Sequence, residues 1–272
     1  MEYRMVDLGS CLVEYHDSDN GKPALLILGD VPSHLGDYEA VLPTLEQHFR
    51  VIALQWPGFG SSALKLNATT FGGAQYLHQL VLQFMAHLGL RKNTLVLGVS
   101  VGAMVALRVA VEFPGLVGKL VLVSPCGFAS ADKHYATAMS GKHYPPPGVA
   151  AREYLGNKDS DWVQQVIKQR VGLEEDDEAN KIIRSVWRSL LLPEADLAGK
   201  VDRLRTNVFI VLGRDDPIVD PMVDGELAKR ALGEWVAGYE VLDNTRHLAF
   251  VEHPNEFLAT ILPFLQEEEM WL

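Results

Sequence analysis

Thr94-Leu95-Val96-Leu97-Gly98-Val99-Ser100-Val101-Gly102-Ala103-Met104 is the stretch on which the reading of this chain turns. A short apolar run, Thr94–Val99, meets a serine, and an apolar helical pattern then runs from Val101 to Phe113, where Pro114 stops it. A serine in a sharp strand-to-helix turn needs near-absent side chains two positions to either side, because the backbones there approach closely. Gly98 and Gly102 meet that need, and Ala103 and Ala106 let the helix lie tight on a sheet. Such a turn lifts the Ser100 hydroxyl clear of the sheet and sets it at a helix N-terminus, where the dipole favours a developing anion.

Outward from this turn, short buried-strand runs alternate with helical ones. Ala24–Leu28, Arg50–Leu54, Leu120–Ser124 and Asn207–Leu212 read as strands; Tyr38–His48, Gln75–Leu88 and Val101–Phe113 read as helices. The alternation predicts an α/β protein with a mainly parallel sheet. Tyr3–Leu8 and Cys11–Tyr15, joined at Gly9-Ser10, read as an opening hairpin.

The strand signal stops between Gly127 and Arg205. Tyr144-Pro145-Pro146-Pro147-Gly148 cannot be regular structure, and two helical stripes follow, one through Trp162, Val163, Val166 and Ile167 and one through Ile183, Val186, Trp187 and Leu190. Between the stripes, Glu174–Glu178 reads as a solvated loop or helix start. Residues 127–205 carry twelve basic and twelve acidic residues, so the net charge of −11 belongs to the flanks. We therefore expect a core of residues 1–126 and 206–272, interrupted by a helical insertion over 127–205.

Composition narrows the partners. With 48% hydrophobic and 22% charged residues, the chain reads as globular, not disordered. The acidic balance argues against a nucleic-acid partner, which needs a clustered basic surface. The opening residues hold no apolar run of secretory length and no stretch suits a membrane span. Two cysteines, Cys11 and Cys126, fit a reducing, cytoplasmic setting better than a disulfide framework. Metal and nucleotide spacings are absent from the sequence, so no cofactor and no metal are expected. A homodimer is compatible with the sequence without being required by it.

Taken together, Gly98–Gly102 around Ser100, Trp56-Pro57-Gly58-Phe59-Gly60-Ser61-Ser62, Leu212–Val219 and Arg246–Pro254 resemble the α/β-hydrolase fold, in its esterase- and lipase-like group with a helical cap. The resemblance covers nearly the whole chain outside 127–205, and its motifs come in the order nucleophile, acid, histidine. It implies an eight-stranded-type, mostly parallel sheet flanked by helices, with 127–205 as the cap. It also implies Ser100 as nucleophile, His247 as base and Asp216, rather than its neighbour Asp215, as the orienting acid. A lone serine hydroxyl is never ionised at neutral pH, so the chemistry requires such partners.

The resemblance places the oxyanion hole on the backbone N–H groups of Val101 and Asp30. Here the sequence departs from the family, which usually has His-Gly-X where this chain has Leu28-Gly29-Asp30. The absent histidine normally braces that loop. An Asp30 carboxylate aimed into the site would repel a developing oxyanion; one turned away would accept N–H groups of its own loop. His34 and Trp187 are candidate substrate contacts, with a solvated loop and cap packing as their respective alternatives. The leading expectation is a serine hydrolase acting on a small or medium, partly apolar carboxylic ester or thioester. The alternatives are a carbon–carbon bond hydrolase or lyase on the same fold, suggested by Arg246–Phe257, and a non-catalytic binding protein, suggested by Leu28 and Asp30.

Overall fold

The computed structural model describes residues 2–65, 72–128, 152–190, 192 and 195–267. The proline tract Tyr144–Gly148 lies outside them. Nine strands form one sheet: β1 (Tyr3–Asp7), β2 (Cys11–Asp17), β3 (Ala24–Leu28), β4 (Arg50–Leu54), β5 (Ala63–Leu64), β6 (Thr94–Val99), β7 (Val117–Val123), β8 (Asn207–Gly213) and β9 (Val236–Leu242). Their order is β1-β2-β4-β3-β6-β7-β8-β9, eight strands along the main path, with the two-residue β5 beside β2.

β1 and β2 form the expected antiparallel hairpin, turning at Gly9 with φ of +84°, and β2 also runs antiparallel to β4. Every later pairing along the path, from β4–β3 to β8–β9, is parallel. The inner strands are buried almost from end to end and read as largely apolar runs; the edge strands β1 and β9 are partly exposed.

The helices are α1 (Leu42–Leu45), α2 (Gly73–His87), α3 (Val101–Glu112), α4 (Asp161–Val171), α5 (Asp177–Ser189), α6 (Glu226–Leu232), α7 (Ala249–Glu252) and α8 (Pro254–Gln266). The single helix expected over Tyr38–His48 is instead a 3₁₀ turn, Leu35–Tyr38, followed by the one-turn α1. Pro43 explains the break: it donates no N–H and its ring crowds the preceding carbonyls, so it fits only the first turn of a new helix. Between β7 and β8 the described residues contain α4 and α5 and no named strand. The acidic run does start a helix, since the Asp176 carboxylate accepts the N–H groups of Glu178 and Ala179 at 3.0 Å each.

At the β6–α3 turn, Ser100 adopts φ +54° and ψ −112°, a conformation that disfavours any side chain. The neighbouring glycines make it reachable. A Cβ on Gly98 would stand 2.5 Å from Ala103 Cα, and one on Gly102 would stand 2.2 Å from the Leu28 carbonyl oxygen. α3 therefore presses directly against the end of β3. Gly102→Ala must part α3 from that backbone and is expected to destabilise the protein by about 2–4 kcal/mol. Ser100→Gly removes the strain and should stabilise by about 1 kcal/mol. Chemical denaturation of both variants checks these opposite signs.

Candidate active site

The parallel strands end on one side of the sheet, and five of their carboxyl ends lead to a polar or sulfur-bearing residue considered for the site: Asp30 after β3, Ser100 after β6, Cys126 after β7, Asp216 after β8 and His247 after β9. Open α/β sheets bind ligands at this edge, where loops leave neighbouring strands in opposite directions. Leu28 pairs with Gly98 in the β3–β6 register, so Asp30 and Ser100 follow side by side. Ser100 and His247 are fully buried and Asp216 nearly so.

Asp216 and His247 are brought together as the sequence predicts. The Asp216 carboxylate lies 2.8 and 3.0 Å from His247 Nδ1, and its Oδ1 also accepts the N–H groups of Ile218 and Val219 at 2.8 and 3.1 Å. These bonds fix the carboxylate before it meets the ring. Asp215, the rival acid, is exposed. Gly213 lets the two loops meet, because a Cβ there would stand 1.9 Å from the Arg246 carbonyl oxygen. His247 is held by its own N–H to the Tyr154 carbonyl at 3.0 Å.

The other ring nitrogen, Nε2, is buried without a hydrogen-bond partner among the described residues. Ser100 Oγ is directed to Cys126 Sγ at 3.4 Å instead. Burial pushes the His247 imidazolium toward losing its proton, but Asp216 and the more distant Asp30 outweigh burial, with Arg170 opposing them. Its pKa is raised above the ordinary histidine value.

The Asp30 side chain combines both orientations weighed from the sequence. Oδ1 accepts the N–H of Val31 at 2.6 Å, while Oδ2 stands 3.9 Å from His247 Nε2. The imidazole thus lies between two carboxylates. The backbone N–H groups of Asp30 and Val101, both predicted donors, have no acceptor among the described residues.

The loop that lacks the family's histidine is braced by other means. Trp56 Nε1 donates to the Gly29 carbonyl at 2.9 Å, and Gln55 Nε2 donates to the Ser33 carbonyl at 2.8 Å. Trp187 on α5 donates to the Val31 carbonyl at 3.0 Å, and Arg170 on α4 donates to the Pro32 carbonyl at 2.7 Å and to Asp37 at 2.8 Å. Trp187 is thus buried as an anchor of this loop. His34 spends its ring on local structure: Nδ1 accepts the Gly36 N–H at 3.0 Å and caps the 3₁₀ turn.

Sequence reasoning missed Arg170 and Glu252. Glu252 is buried and accepts N–H groups of Arg246, Leu248 and Gly156, tying the His247 loop to residue 156; burial raises its pKa despite these bonds. Glu252 lies in the Arg246–Pro254 tract, but nothing in a sequence distinguishes a buried glutamate there from a solvated one. Asp132, a distant alternative for the acid, and Met139, a candidate for lining a substrate channel, lie outside the described residues.

Two clefts border α5 away from this cluster. One, of about 540 Å³, is lined by Gly73, Lys181, Arg184 and Arg188; the other, of about 290 Å³, is lined by Met104, Arg108 and Leu197. Neither is lined by Ser100 or His247. No described helix is long and apolar enough to cross a membrane.

Known proteins agree with this architecture. The chain is 22% identical over 284 residues to 2-hydroxy-6-oxo-6-phenylhexa-2,4-dienoate hydrolase of Comamonas testosteroni, covering 96% of this chain and 93% of that protein. It is 25% identical to the pimeloyl-[acyl-carrier protein] methyl ester esterase of Yersinia enterocolitica, covering 89% and 93%. The solved structure of 2-hydroxy-6-oxo-6-phenylhexa-2,4-dienoate hydrolase from Rhodococcus sp. strain RHA1 superposes with a TM-score of 0.79 at 20% identity, covering 98% and 99%. The family model described as the alpha/beta hydrolase family matches residues 26–261, and with sheet order, strained serine turn and motif order all in accord, the chain belongs to that family.

Proposed function

We propose that the chain is a serine hydrolase that cleaves a small or medium, partly apolar carboxylic ester or thioester through an acyl-enzyme. The observation that supports this most is the Asp216–His247 pair, with Nε2 unpartnered among the described residues, beside a serine held in a strained turn. Ser100 Oγ turns from Cys126 toward Nε2, and His247 takes its proton as Oγ attacks the carbonyl carbon. The N–H groups of Asp30 and Val101 receive the oxyanion at the N-terminus of α3. His247 then protonates the leaving oxygen or sulfur, and later activates the water that frees the acid and restores Ser100. Nucleophile, base and oxyanion donors all come from the chain, so the cycle requires no cofactor.

In this reading residues 127–205 form the cap over the substrate. α4 and α5 reach the oxyanion loop through Arg170 and Trp187, so the cap acts on the site through that loop. A second reading, carbon–carbon bond hydrolysis, is favoured by the match to the phenylhexadienoate hydrolase of Comamonas testosteroni. It uses the same three side chains on a different bond.

A fluorophosphonate should label the protein at Ser100, and Ser100→Ala should abolish the labelling and lower ester turnover by at least about 10³-fold. No labelling of the parent protein contradicts the hydrolase reading. Labelling with near-zero turnover of simple chromogenic esters favours the carbon–carbon alternative.

The labelling rate should also follow the neutral form of His247. Asp216 and Asp30 favour the imidazolium, and burial and Arg170 disfavour it. The half-maximal rate is therefore expected above the ordinary histidine value of about 6.5, and Asp30→Asn should move it to lower pH. The linked stability has the opposite sense: the His247 contribution is full below about pH 6.5 and is lost as pH rises through the raised value. A midpoint below 6.5 in the parent protein contradicts this assignment.

A further inference from the structure

The backbone that carries His247 is gripped from two sides. His247 donates its own N–H to the Tyr154 carbonyl at 3.0 Å, while its neighbours Arg246 and Leu248 both donate to the Glu252 carboxylate. That carboxylate is buried, and it takes the Arg246 N–H at 3.1 and 3.2 Å and the Leu248 N–H at 3.3 Å. Its hydrogen-bond partners are all backbone N–H groups, the third being Gly156. An apolar side chain at 252 would leave these three donors without the acceptor they now share.

The other anchor lies in the segment inserted between β7 and β8. The Gly156 N–H donates to Glu252 Oε2 at 2.7 Å, and Asn157 Nδ2 donates to the Glu252 carbonyl at 2.8 Å. The Arg246 guanidinium donates to the Glu153 carbonyl. With the Tyr154–His247 bond, residues 153–157 thus meet residues 246–252 through four hydrogen bonds, and Leu155 between them is fully buried. A Cβ on Gly156 would stand 2.5 Å from Glu252 Oε2, so the carboxylate reaches this backbone only because a glycine is there.

We propose that Glu252 is the positioning residue of the catalytic histidine: its carboxylate fixes residues 246–248 against the inserted segment 153–157, keeping Nδ1 on Asp216 and Nε2 in place to serve Ser100. This deepens the serine hydrolase reading and rests on it for the role of His247. Glu252 touches neither substrate nor reacting atoms and acts through the backbone that carries the ring. A tilt at residue 247 is amplified at Nε2, the far ring atom, and a misplacement of about 1 Å in a reacting group costs up to about 10²-fold in rate. A neutral amide is no substitute, because its NH₂ would face an N–H where an oxygen now stands.

Two variants test this. Glu252→Gln keeps the shape but not the acceptor set, and Gly156→Ala drives a methyl group against Oε2 while keeping every charge. The fluorophosphonate labelling rate constant, referred to the folded fraction, should fall at least about tenfold in Glu252→Gln and about threefold in Gly156→Ala. A purely structural brace would leave the His247 ring itself unchanged, so its titration by NMR is the second readout, assigned by its absence in His247→Gln. Burial draws the His247 midpoint down, Asp216 and Asp30 draw it up, and Arg170 draws it down. Loosening the Asp216 bond therefore lowers the midpoint in both variants. Labelling within about twofold of the parent in Gly156→Ala, or an unmoved midpoint there, overturns the proposal, and that variant decides if Glu252→Gln does not fold. Without labelling of the parent protein the hydrolase reading fails, and the midpoints alone judge Glu252. Labelling of the parent with unmoved midpoints retains that reading and fails Glu252.

Discussion

The left-handed backbone of Ser100 is the constraint on which the site is built. Holding a non-glycine residue at φ +54° costs on the order of 1–3 kcal/mol, and the fold sustains it because α3 cannot move away. Gly98 and Gly102 allow helix, β6 and the end of β3 to meet at backbone contact distance. That contact brings the first turn of α3 against the Leu28 and Gly29 carbonyls, next to the loop that carries Asp30.

The loop after β3 depends on contacts distant in the sequence. Gln55 and Trp56 hold it from the segment after β4, and Arg170 and Trp187 hold it from α4 and α5. Each bond contributes about 1 kcal/mol net, yet losing one strands a buried polar group at a cost of about 1–3 kcal/mol. α4 and α5 are thereby tied to the carbonyls of the two residues that follow Asp30. Ser100 and His247 are fully buried, and α4 and α5 are hydrogen-bonded to the loop after β3.

Much of this was legible in the sequence, for identifiable reasons. Steric need made Gly98-Val99-Ser100-Val101-Gly102 readable, because only that arrangement lets a serine sit between a buried strand and a tight helix. The strands were readable because parallel strands buried on both faces must be apolar throughout. The resemblance to the family pointed to Asp216 rather than Asp215, and the structure separates them as buried and exposed. Pro43 was visible, but the helical stripe around it hid the break it imposes. Arg170 was not legible: its partners are the Pro32 carbonyl and Asp37, more than 130 residues away, and an arginine on a helical stripe reads as surface. The role of Asp30 was open for a related reason, since the sequence shows a carboxylate but not which oxygen meets which partner.

The most direct test of the account is the structure of the adduct formed between Ser100 and a fluorophosphonate. A phosphorus–oxygen bond to Ser100 Oγ is expected, with the phosphoryl oxygen within about 3 Å of the backbone nitrogens of both Asp30 and Val101. An adduct on another residue, or a phosphoryl oxygen turned away from those two nitrogens, would contradict it.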